Sequence, residues 1–108
     1  MSFQKIAMRF EQAESGTDSF KLLYRDCYQL MKNDPDNASL YFVVAVAAQA
    51  YVRGYEDQGV SSEFADHAKA ILVGYNARLV NVLDADPATR LRVLGQIAID
   101  YEWEVHDF

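Results

Sequence analysis

The chain has 108 residues, 51% of them hydrophobic and 24% charged, with a formal net charge of −6. That length supports one hydrophobic core and excludes two, and the apolar-to-charged balance is that of a globular domain, not of a disordered or collagen-like chain. The charge also excludes a phosphate-backbone binder, which needs clustered Lys and Arg, so no nucleic-acid partner is expected and a basic protein partner is electrostatically easier.

Residues 2–14 are predicted as a first helix, because Phe3, Ile6, Ala7 and Phe10 recur at the offsets of one helical face. Ser15-Gly16-Thr17 breaks the pattern, and Thr17 or Asp18 is placed to cap a second helix over 18–33. Its buried stripe is Phe20, Leu23, Cys27, Leu30 and Met31, with Lys21, Arg25, Gln29 and Lys32 toward water. Asn33-Asp34-Pro35-Asp36-Asn37 is the clearest punctuation, since Pro35 disfavours helix at the residue before it and Asp36 or Asn37 can cap the next helix.

A third helix is predicted over 38–57. Between Leu40 and Val52 only Gln49 is polar, so nearly every face is apolar and the helix belongs at the centre of the bundle. Val43, Val44 and Val46 leave a strand as the alternative, but the length and the series Ala45, Ala47, Ala48 and Ala50 favour helix. After a loop at Gly59, Ser61 or Ser62 caps a fourth helix over 62–84, the clearest amphipathic segment, with Phe64, Ala68, Ile71, Leu72, Tyr75, Leu79, Val82 and Leu83 in register. Gly74 inside it is expected to mark close approach by another helix. Asp86 caps a fifth helix over 87–106, with Pro87 at its first position. Leu91, Leu94, Ala98, Tyr101 and Val105 form its expected inner stripe, while Ile99 and Trp103 lie on another face. The expected fold is therefore all-α, a single compact bundle of about five helices spanning residues 1–108.

Cys27 is the single cysteine, so no intramolecular disulfide is available and a reducing, cytoplasmic setting is expected. The start MSFQKIAMRF lacks the apolar core of a secretory signal, and the run from Leu40 to Val52 is shorter than the roughly 20 residues of a membrane span. No membrane association is expected. Cys27 lies on an apolar stripe and reads as a small core residue, not a nucleophile. Glu63 with His67, and Glu102 with His106, are four apart, but neither pair has the Glu-x-x-His spacing of a di-metal bundle site. No catalytic residue, metal or cofactor is expected, and the chain reads as a binding protein and not an enzyme.

Acid concentrates in the middle of the chain: one basic and six acidic residues fall in 34–66, against five basic and four acidic in 1–33. Two segments combine acids with an aromatic of the kind that anchors protein interfaces. The first is Tyr55, Glu56, Asp57, Glu63 and Asp66, flanking the loop between the third and fourth helices; the second is Glu102, Trp103, Glu104 and Asp107. The competing reading of either is a solvated polar face, against which an exposed Trp103 weighs.

The stretch Leu94-Gly95-Gln96-Ile97-Ala98-Ile99-Asp100-Tyr101-Glu102, preceded by an amphipathic helix ending near Val82-Leu83-Asp84, resembles the C-terminal region of small helical immunity proteins that neutralise NAD(P)-degrading toxins of type VI secretion. The resemblance covers about 40 of the 108 residues. It implies an inhibitor that occludes a toxin's active site and performs no chemistry itself. Asn33 to Ala38, with Tyr41, Ala45 and Gly54-Tyr55, also resembles a tetratricopeptide-repeat junction. Pro35 and Pro87 are 52 residues apart where that repeat requires 34, so the segment reads as an αα-hairpin. The expected function is that of an immunity-type inhibitor with a cognate protein toxin as partner. The alternative is a helical adaptor or regulatory module acting through peptide binding or through homodimerisation at Ile99 and Trp103.

Overall fold

The computed structural model describes residues 1–105 and shows five α-helices with no strand among them. Helix α1 spans Phe3–Gln12, with the Ser2 hydroxyl accepting the Lys5 N–H at 3.2 Å to cap its first turn. Phe3, Ile6 and Phe10 turn inward, and the helix stops before Ala13, whose backbone is extended. Helix α2 runs Thr17–Asn33. Its cap position is Gly16, so neither Thr17 nor Asp18 serves as the side-chain cap; both lie within the first turn, where the Asp18 carboxylate still faces the positive end of the helix dipole. Phe20, Leu23, Cys27 and Leu30 form the buried stripe, with Met31 half-buried beside it.

A single 3-10 turn, Pro35–Asn37, joins α2 to helix α3, Ala38–Tyr55. Asn37 holds the cap position without bonding its own helix. Its side chain instead donates to Asp34 at 3.0 Å and accepts from Arg90 at 2.6 Å, tying the α2–α3 corner to the last helix. Helix α3 packs against α2, α4 and α5, and its pairing with α2 is the most extensive in the molecule. Ala45, Ala47 and Ala48 are fully buried, and such small side chains let neighbouring backbones come close. The helix is central but not enclosed on every side: Phe42 remains 47% exposed, with Arg53 also toward water.

Helix α4, Ser62–Val80, starts on the Ser61 hydroxyl, which accepts the Phe64 N–H at 3.1 Å. It buries Ala68, Leu72, Tyr75, Leu79 and one polar residue, Asn76, and ends four residues short of Asp84; Val82 is then buried from a turn. A Cβ at Gly74 would meet nothing within 4 Å, so that glycine faces open space and marks no helix crossing. The cleanest division into apolar and polar faces belongs to α1, because Asn76 falls among the inward residues of α4.

Helix α5, Pro87–Glu104, starts as expected, with the Asp86 carboxylate accepting the Thr89 N–H at 2.8 Å and its hydroxyl at 3.0 Å. Its roll differs from the expected one. Ile97 is the fully buried residue, with Val93, Leu94 and Tyr101 half-buried around it, whereas Leu91 is 69% exposed and Ala98 is also exposed. Arg90 reaches Asn37, and Arg78 of α4 holds Asp100 at 2.9 Å, so two long-range polar ties accompany the burial of the Val93, Leu94, Ile97 and Tyr101 face.

A chain of rings links four of the helices. Phe10 of α1 meets Phe20 of α2 edge-on at 5.2 Å, Phe20 stacks on Tyr51 of α3 at 4.2 Å, and Tyr51 lies 6.2 Å from Phe64 of α4. Such pairs contribute roughly 0.5–1.5 kcal/mol each beyond their area burial.

Candidate functional site

Three residues of the first expected segment, Tyr55, Glu56 and Asp66, line a cleft. At the end of the bundle where α3 closes and α4 begins, an open cavity of about 690 Å³ is lined by the α1–α2 connector, Tyr51, Tyr55, Glu56 and the start of α4 through Asp66. Tyr55 forms part of its aromatic wall, 5.3 Å from Tyr51 and edge-on to Phe64 at 4.9 Å. Burial raises the Tyr51 hydroxyl above its ordinary pKa, helped by neighbouring Tyr55.

The carboxylates are held from different elements. Glu56 accepts from Lys21 of α2, and this bond holds the Lys21 ammonium above its usual pKa. Asp66 accepts the Ser15 hydroxyl at 2.5 Å, and Lys69 of the same helix donates to the Ala13 carbonyl, so α4 clasps the α1–α2 connector at two points. Asp57 and Glu63 are exposed beside the cleft but do not line it. Glu14, which no sequence pattern marks, does. Its connector meets α4 from 51 positions away in the chain, at Ser15 and Asp66, and no local signal announces that meeting. The lining therefore carries three carboxylates, Glu14, Glu56 and Asp66, and no Lys, Arg or His.

The second expected segment does not join the first. Glu102, Trp103 and Glu104 are exposed on the last turn of α5, with Trp103 72% accessible. The Glu104 charge is felt at Tyr75 of α4, whose hydroxyl is raised by burial first and then by Asp100 and Glu104. Asp107 and His106 lie outside the described residues. Leu91, which helical periodicity assigns to the buried stripe, belongs instead to this surface: it stands exposed with Ile99, which is 54% accessible, and Trp103.

Cys27 is fully buried, and burial pushes its thiol up to about 12, far from a reactive thiolate. Among the described residues no group of three His, Cys, Asp or Glu side chains comes together as a metal site. No helix among them is long and apolar enough to cross a membrane. No protein-family model, curated protein or solved structure matches the chain, so the reading of the site rests on the geometry above.

Proposed function

We propose that the protein is a binding module whose acidic cleft receives a basic, protruding segment of a protein partner. In keeping with the sequence resemblance of its last helix, we take that partner to be a toxin whose active site is occluded in the complex. The observation that carries the reading is the cleft of about 690 Å³ lined by Glu14, Glu56 and Asp66, with Glu56 already engaged by Lys21 and the half-buried ring of Tyr55 beside them. A Lys or Arg entering it gains opposite charge at the rim and an aromatic face to rest on. Asp57 and Glu63 extend the negative field beside the mouth and speed encounter with a positively charged surface. The neutralisation is steric, and no residue of this chain acts on a substrate. A lone buried thiol suits the cytoplasm, where such an inhibitor would meet its target.

The test is co-expression with the products of neighbouring genes. One of them is expected to arrest growth, and the intact protein is expected to restore it. Glu14→Lys combined with Asp57→Lys should abolish rescue while leaving the helical circular-dichroism spectrum unchanged, since both side chains are exposed and neither is needed for packing. Absence of any toxic neighbour, or rescue undiminished in the double variant, overturns the proposal.

A further inference from the structure

Helix α5 carries a second apolar surface that stands exposed among the described residues, and its charge order points to what fits it. Leu91, Gly95, Ile99 and Trp103 succeed one another at intervals of four, which makes them a single ridge of the kind that packs helix on helix. Three of the four are large and exposed, at 69%, 54% and 72% for Leu91, Ile99 and Trp103. The fourth, Gly95, would meet nothing within 4 Å if given a Cβ, so the middle of the ridge is an open notch. That notch falls at the midpoint of a helix running Pro87–Glu104.

Beyond the capping Asp86, whose carboxyl feels the Arg92 charge, the charges within the helix run against its dipole. Between Pro87 and Ile99 the only charged side chains are Arg90 and Arg92, and from Asp100 to Glu104 there are only acids. An isolated helix prefers the reverse, anions near its start and cations near its end. Arg90 is engaged with Asn37, and Asp100 with Arg78 and Gln96, which leaves Arg92 at one end of the exposed face and Glu102 at the other.

We infer that this face pairs with a second copy of the chain, the two α5 helices crossing antiparallel about a two-fold axis at Gly95. In that arrangement the notch admits the closest approach of the two backbones, and Leu91 of each copy lies toward Ile99 of the other. Arg92 of each helix lies toward Glu102 of the other, an attraction opposed at the ends, where Glu104 falls opposite the capping Asp86 of the other copy. Parallel pairing would set Arg92 beside Arg92 and Glu102 beside Glu102, so the charge order selects the antiparallel form. Trp103 supplies the large aromatic anchor at each end. The acidic cleft is built from α3, α4 and the α1–α2 connector, not from α5, so the dimer presents two clefts and the inference stands apart from the proposed function.

Sedimentation velocity of the full chain from about 1 μM to about 500 μM decides the matter, a range that brackets weak self-association. The expected result is a shift from monomer to dimer across the series. Ile99→Glu should remove the shift, and Gly95→Leu should do the same by filling the notch. Arg92→Glu should raise the dimer dissociation constant about tenfold, and adding Glu102→Arg to it should restore the wild-type value to within about threefold, because the reversed charge order is still complementary in the antiparallel pair. All four positions are exposed, so unchanged circular dichroism is expected of every variant. A chain monomeric throughout, a dimer indifferent to Ile99→Glu, or a charge-swapped variant no better than Arg92→Glu alone overturns the inference. Glu14→Lys with Asp57→Lys should leave the sedimentation profile unchanged, which separates this surface from the cleft.

Discussion

Asn76 offers the sharpest test of the packing. It is 2% exposed on the inward side of α4, and neither its side-chain oxygen nor its nitrogen has a hydrogen-bond partner. A buried amide left in that state costs about 1–3 kcal/mol in lost hydration. The groove beside it, between α1 and α4, has a volume of about 240 Å³ and is lined by Ala7, Met8, Val73, Ala77 and Val80 together with Gln4, Glu11 and Asn81, so a longer apolar side chain has room and apolar neighbours on part of its surface. Asn76→Leu removes the cost and adds apolar burial, while some repacking strain opposes the gain; a net stabilisation of about 1–2 kcal/mol is expected. Urea denaturation should show a higher midpoint at unchanged slope, and the melting temperature should rise by about 4–8 °C per kcal/mol. Asn76→Asp should do the opposite with a pH signature. A buried carboxyl has its folded pKa raised above the unfolded value of about 3.9, so the variant should come closest to wild type below that value and lose stability as the pH rises through the folded pKa. If Asn76→Leu lowers stability, the amide is satisfied in the folded protein and the account of this groove is wrong.

The other expectations concern single elements. Gly74→Ala should stabilise the protein by about 1 kcal/mol in denaturant titration, because the position is mid-helix and open, and no gain would mean that the site is not free. Asp34 accepts the Tyr41 hydroxyl at 2.6 Å and the Asn37 amide, which hold its carboxyl below the ordinary carboxylate pKa. Its contribution to stability is therefore present above the unfolded value of about 3.9 and lost as pH falls through the lower folded one; Tyr41→Phe should weaken that acid dependence, and an unaltered curve would dismiss the bond. Cys27 should resist a thiol-specific reagent in the native protein at neutral pH and react fully in denaturant, whereas rapid native labelling would contradict its burial.

Local chemistry explains which features could be read from the chain. Ser61 and Asp86 cap the helices they precede because a cap acts three residues away, and Pro87 fits the first turn for the same local reason. The stripe Phe20, Leu23, Cys27 and Leu30 is equally plain, since helical periodicity alone puts those residues on one side. The roll of α5 is not. Its residues offer two apolar faces, and the choice between them depends on tertiary neighbours, among them Asn37 at Arg90 and Arg78 at Asp100, contacts that bridge 53 and 22 positions. The cleft divides in the same way. Tyr55 and Glu56 are visible as an aromatic beside acids, while Glu14 enters only through the connector that Asp66 and Lys69 hold.

The dominance of the α2–α3 pair bears on the order in which the molecule assembles. These helices are consecutive, the turn between them is short, and the stacked rings of Phe20 and Tyr51 are only 31 positions apart. Closing that loop costs little chain entropy, whereas docking α1 on α4 encloses the whole hairpin first. Residues 17–55 are therefore expected to form the folding nucleus. Substitutions at Ala45 or Ala48 should slow refolding, and those at the α1–α4 contact should act mainly on the unfolding rate.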